Sequence, residues 1–201
     1  MLKTKMLGLL LMSSLSLPAA TIYNESTFTD FSSSGSSPTA LTLFPGSNQI
    51  LGTNGSQADS VRDYVTITIP TGFMLSSLTL LDTALGAKGF LGVEAGNQLT
   101  LLPSTTTAAG LLGWWHYTPS DINSDLLALM ATPANGSSGF APPLSAGTYA
   151  LWIQDSSTGL FHYGFDLEVQ AAPEPSTWLA CLAGVGLLLG IRRKMRNASA
   201  N

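Results

Sequence analysis

The run Tyr64-Val-Thr-Ile-Thr-Ile-Pro70 alternates strictly with a period of two. Successive side chains of an extended strand point to opposite faces, so Val65, Ile67 and Ile69 share one face and Tyr64, Thr66 and Thr68 the other. The pattern predicts a half-buried strand, closed by Pro70 and a Thr71-Gly72 turn. The same period recurs in residues 78–82, 90–94, 98–102, 147–154 and 163–169, and more weakly in 40–44 and 49–52. Short strands rich in β-branched and aromatic residues, separated by Gly, Pro, Asn and Ser clusters, predict a mainly β fold, an antiparallel β-sandwich of jelly-roll-like kind. Residues 121–131 read as a helical turn inside a long connection, and the Ser-rich 32–37 as a loop.

The two ends follow a different pattern. Lys3 and Lys5 precede an apolar stretch over 6–17, and Ala19 and Ala20 follow, which is the plan of a secretory signal helix spanning 1–20. The body is then 21–171, enough chain for one domain with a single substantial core. Beyond it, Pro173, Glu174 and Pro175 lead into an uncharged run of 14 residues from Trp178 to Ile191, followed at once by Arg192, Arg193, Lys194 and Arg196. Such a helix is about 21 Å long at 1.5 Å per residue, short of a hydrocarbon core of about 30 Å. It spans if Trp178 sits at one interface and the cations snorkel to the other, so 177–191 is read as a transmembrane helix within the terminal segment 172–201. The alternative for a run this short is a buried core helix, but one that is apolar all round and ends in four cations suits a membrane better. The cations are expected on the cytoplasmic side, with everything before Trp178 outside.

The order Pro173-Glu174-Pro175-Ser176-Thr177-Trp178, short Leu/Ala/Gly helix, then Arg-Arg-Lys resembles the PEP-CTERM sorting signal of Gram-negative bacteria. That resemblance covers about the last 30 residues and implies recognition by an exosortase, a membrane-embedded cysteine transpeptidase acting near the Pro-Glu-Pro. The order also makes physical sense, because two prolines keep the backbone just outside the bilayer extended and open to a processing enzyme. Three stretches of the body, Tyr23-Asn-Glu-Ser26, Asp63 through Pro70 followed by Leu78-Thr-Leu80, and Leu144 through Gln154, are similar to PEP-CTERM passengers and to the pre-peptidase C-terminal type of β-sandwich. This second resemblance implies a sandwich and an extracytoplasmic accessory role, and it carries no catalytic residues.

Charge narrows the possible partners. Between residues 21 and 171 only Arg62 and Lys88 are basic, against eleven carboxylates, a formal charge of −9. Nothing there neutralises phosphates, so nucleic acid is not an expected partner. The lone Cys181 has no partner for a disulfide, so the body must hold together by packing.

Catalytic patterns are thin. His116 and His162 lie 46 residues apart without metal-ligand spacing, and Asn135-Gly-Ser-Ser-Gly139 has one residue too few between its glycines for a nucleophile elbow. No Walker or dinucleotide-binding motif occurs, so no cofactor is expected. Asp59, Asp63 and Asp82 flank the alternating strand and offer oxygens to calcium, but match no calcium-loop spacing; solvated loop carboxylates are the preferred reading and no metal site is assigned. Asp121 and Asp125 are a carboxylate pair of unknown separation. Trp114-Trp115-His116-Tyr117 is the densest aromatic cluster. Trp114, Trp115 and Tyr117 are the candidate glycan contacts if they lie exposed on one flat patch, and core packing is the competing reading.

The expectation is therefore a non-enzymatic exported protein. An exosortase-type system would sort it from the inner membrane to the cell surface or extracellular matrix, where its body is structural or adhesive. The alternative is a module binding exopolysaccharide, and a hydrolase would need a pocket joining a histidine to a carboxylate.

Overall fold

The computed structural model describes residues 19–55, 62–101, 107–134, 136–157 and 159–173. The expected signal helix, save its last two residues, lies outside the described residues. So do Glu174, Pro175, the 177–191 helix from Trp178 to Ile191, and the basic Arg192, Arg193, Lys194 and Arg196. Among the described residues no helix is long and apolar enough to cross a membrane.

The chain is mainly β. Its strands are β1 (Ala20–Asn24), β2 (Thr39–Thr42), β3 (Gly46–Gly55), β4 (Asp63–Thr83), β5 (Gly89–Ala95), β6 (Gly113–Tyr117), β7 (Leu144–Asp155) and β8 (Leu160–Ala171). A 3₁₀ turn, Pro119–Asp121, and one short helix, α1 (Leu126–Met130), fill the connection between β6 and β7. Among the described residues the eight strands form one sheet in the order β1-β3-β8-β4-β7-β5-β6, with β2 pairing to β4 beside that path. Most neighbours are antiparallel, as the alternating pattern led us to expect, but β1 with β3 and β2 with β4 are parallel.

Two expected boundaries differ. Pro70 does not end its strand: β4 spans 21 residues in all, from Asp63 to Thr83, merging two runs that read separately in the sequence. Its register against β7 shifts between Ile69 and Met74, where Gly72 has φ +84°; this irregularity absorbs the proline and the turn residues without ending the strand. Of the expected strand over 98–102, residues 98–101 form no strand and residue 102 lies outside the described residues. The Glu94 carboxylate accepts the Thr100 backbone N–H at 3.0 Å and its hydroxyl at 2.5 Å, which folds the segment back over the sheet.

That fold-back also explains why β4 is buried on both faces rather than half-buried. Val65, Ile67 and Ile69 enter the main core with Leu91, Val93, Leu151, Ile153, Phe165 and Leu167. Tyr64, on the opposite face, packs in a second cluster with Leu99, Ala108, Leu111, Ala150 and Trp152. Period two therefore separated the faces correctly, but not wet from dry.

The sheet is strongly curled. Tyr117 stands on β6, at one end of the strand order, yet its ring meets that of Phe165 on β8 edge-on, with centroids 5.4 Å apart. The Asn54 amide of β3 donates to the Tyr117 hydroxyl at 3.4 Å. The hydrophobic core lies inside this curl.

Candidate functional site

The most unusual chemistry gathers where β1, β3, β4 and β8 meet. Asp63 opens β4 in phase with Val65 and Ile67, so the strand's alternation carries its carboxylate to the core face, where it is 1 % exposed. Glu25 follows β1 directly, its backbone N–H donating to the Leu51 carbonyl at 3.1 Å to extend the β1–β3 pairing. The chain then reverses. The Asn24 side chain accepts the Ser26 N–H and hydroxyl, its carbonyl accepts the N–H groups of Thr27 and Phe28, and Tyr23 stacks on Phe28 and Phe31 at 5.1 and 4.2 Å. This turn returns Asp30 to the neighbourhood of Glu25 and Asp63, and oxygens of all three carboxyl groups lie within 4.8 Å of one another.

Their partners are well defined. The buried Tyr163 hydroxyl donates to Asp63 Oδ2 at 2.8 Å. Glu25 Oε1 accepts the Phe31 N–H at 2.9 Å, and Oε2 accepts the Thr53 N–H at 2.6 Å and the Thr53 hydroxyl at 3.2 Å. Burial, followed by the charge on Glu25, pushes the Asp63 carboxyl up to about 8, against the smaller opposing effect of the Tyr163 hydrogen bond. Glu25 is also raised, chiefly by burial, with the Phe31 and Thr53 amides pulling the other way. Burial holds the Tyr163 phenol well above its usual range. A hard cation asks for six or more oxygens, and here both Glu25 oxygens are already committed to backbone amides. The geometry suits a shared proton better than an ion.

Sequence reading picked out Asp63 but placed it with Asp59 and Asp82. Asp59 lies outside the described residues, and Asp82 pairs with His162 Nε2 at 3.2 Å. Glu25 and Asp30 were missed, 38 and 33 positions before Asp63; no local spacing connects them.

A cleft of about 490 Å³ opens beside the cluster, lined by Glu25, Asp30, Thr53, Asp82, His162 and Tyr163 among others. It does join a histidine to a carboxylate, the arrangement a hydrolase would need. However, the His162 and Asp82 side chains are 53 % and 65 % exposed, and a pair bathed in water lacks the desolvated, preorganised field that makes such groups catalytic. Asp121 and Asp125 are occupied structurally. Asp121 accepts the Thr118 N–H and hydroxyl, while Asp125 caps α1 through the Leu127 N–H and also accepts the Leu78 N–H.

The aromatic cluster is divided by its own strand. Along β6, Trp115 and Tyr117 turn toward the main core, and Tyr117 is 1 % exposed. Trp114 and His116 turn to the other face, where Trp114, Phe90 and Trp152 belong to the second cluster. Phe90 lies 5.9 Å from Trp114, 5.5 Å from His116 and 5.1 Å from Trp152, centroid to centroid. Trp114, Trp115 and Tyr117 therefore do not share one exposed patch. Along the edge of β6, Trp114, Trp115 and His116 instead line a second cleft of about 420 Å³ with Leu129, Thr132 and Ala134. The Trp114 indole N–H is held by the Ala134 carbonyl at 3.0 Å, whereas the buried Trp115 Nε1 has no hydrogen-bond partner among the described residues.

No family model, curated protein or solved structure matches this chain.

Proposed function

We propose that this chain is an exported, non-enzymatic β-domain carried to the cell surface or extracellular matrix by an exosortase-type system. The observation that carries this reading is the order of the last segment: Pro173-Glu174-Pro175, an uncharged run from Trp178 to Ile191, then Arg192, Arg193, Lys194 and Arg196. The fold is compatible with it. β8 ends at Ala171, so Ala172 alone separates the last strand from Pro173, and a processing enzyme at the motif would cut outside the hydrogen-bonded body. The finer architecture that goes with this reading is a jelly-roll-like sandwich, supported by the packing of Tyr117 on Phe165 across the curled sheet.

The test is fractionation of the full chain in a host with and without an exosortase. Wild-type protein should leave the inner membrane only when the enzyme is present, and E174A should remain in the membrane in both hosts. Equal release of wild type and E174A overturns the reading. A reporter fused after Asn201 should be active in the cytoplasm; activity confined to the periplasm overturns the topology.

The second reading, exopolysaccharide binding, draws on the cleft at the β6 edge, where apolar aromatic walls stand beside the exposed His116 and Thr132. Its contacts would be Trp114, Trp115 and His116, without Tyr117. Glycan-array binding by the full chain that is lost in W114A supports it, and an array blank for wild type removes it.

A further inference from the structure

We propose that Glu25 and Asp63, with Asp30 beside them, hold one proton in common at neutral pH, and that this proton latches the 24–31 segment onto β3, β4 and β8. The inference is independent of how the chain is sorted. Three carboxyl groups with oxygens within 4.8 Å of one another, one of them 1 % exposed, are not all ionised together at ordinary cost. They stand on different elements: Glu25 and Asp30 on the turn after β1, Asp63 at the head of β4, with Thr53 of β3 bonded to Glu25 and Tyr163 of β8 bonded to Asp63; the backbone ties the turn to the sheet at its two ends, through the Leu51 carbonyl to Glu25 and the Ser32 carbonyl to Tyr64, and the cluster ties it between them.

The surrounding charges do not replace the proton. Among the described residues the charges that act on Asp63 are Glu25 and Asp30, both negative, and they push its carboxyl further up. Just before β4 Arg62 Nε donates to Gln154 at 3.0 Å, and on β4 Asp82 engages His162 of β8. Tyr163 of β8 and Tyr117 of β6 are held neutral by burial, and Asp155 of β7 accepts the Lys88 and Ser157 N–H groups. When the shared proton leaves, Asp63 is fixed in its strand and cannot withdraw. Glu25 is half-buried and Asp30 exposed, so the turn is the part that moves outward, releasing the Phe31 and Thr53 amides from Glu25.

The experiment is amide hydrogen exchange on the full chain in detergent, with protection corrected for the intrinsic base-catalysed rate. From about pH 6 to about pH 9, protection of the Phe31 and Thr53 amides should fall about tenfold or more while that of Val65 holds. D63N, which keeps an acceptor for Tyr163 but carries no charge, should retain protection across the range. D30N, at an exposed position, should do the same in part and serves if D63N folds poorly. Protection that is flat with pH in wild type, or that falls equally in both variants, overturns the latch. So does restoration of wild-type protection at the alkaline end by millimolar calcium chloride, which would put a cation where the proton is placed here.

Discussion

Gly52 and Tyr163 face one another across the β3–β8 ladder, and a Cβ on residue 52 would stand 2.5 Å from the Tyr163 phenol oxygen. The tyrosine lies flat over the space a side chain would fill, and that path brings its hydroxyl to Asp63. The same device recurs on the other side of the core, where Tyr117 lies over its cross-strand partner Gly89 and reaches Asn54. In both cases a glycine makes room for a phenol that reaches a third strand, the neighbouring β4 for Tyr163 and the distant β3 for Tyr117.

Gly52→Ala should therefore destabilise by about 1–3 kcal/mol, because the ring must leave its place or β3 must shift. Chemical denaturation measures it. The loss should not add to that of Tyr163→Ala, since one change already removes what the other collides with; strict additivity would show that the close approach is not what matters.

Stability should be highest on the acid side of neutrality. The Asp63 carboxyl sits at about 8 in the folded chain against 3.8 when unfolded, so the folded state binds the extra proton between these values. Its contribution is complete below the unfolded value and is lost as the pH rises through the folded one. Melting temperature should fall from about pH 5 to about pH 9 in wild type and fall less in D63N. A melting temperature that rises over that range contradicts the assignment.

Asp125→Ala should cost about 1–2 kcal/mol, since one carboxylate caps α1 at Leu127 and also holds the Leu78 N–H of β4. Asp125→Asn, which keeps an accepting oxygen, should recover much of the loss. Equal losses in the two variants would show that charge, and not the cap, is responsible.

Tyr117→Ala should lose about 3–5 kcal/mol as a cavity opens beside Phe165, while Trp114→Ala, at a half-buried outer position, should lose less. Urea unfolding of the two variants compares them. The reverse order would place Tyr117 at the surface and return it to the candidate glycan contacts.

Much of this protein was legible from side-chain order alone. Alternation over residues 64–70, 147–154 and 163–169 marked the three strands that carry the core, and it sorted Leu151 and Ile153 from Ala150 and Trp152 correctly, because the pleat of a strand is a local property. The charge of the body and the layout of its last segment are likewise written in the chain. The meeting of Glu25, Asp30 and Asp63 is not. It arises because β1 lies parallel to β3, the turn after Asn24 doubles back, and β8 lays Tyr163 across Gly52, and none of these leaves a spacing to read. Pairing partners are chosen by long-range contacts across the sheet. For the same reason Trp114 through Tyr117 stood out in the sequence only as an aromatic cluster; that β6 sends Trp114 and His116 to one face and Trp115 and Tyr117 to the other, and which face went inside, depended on how the sheet curled over Phe165 and Asn54.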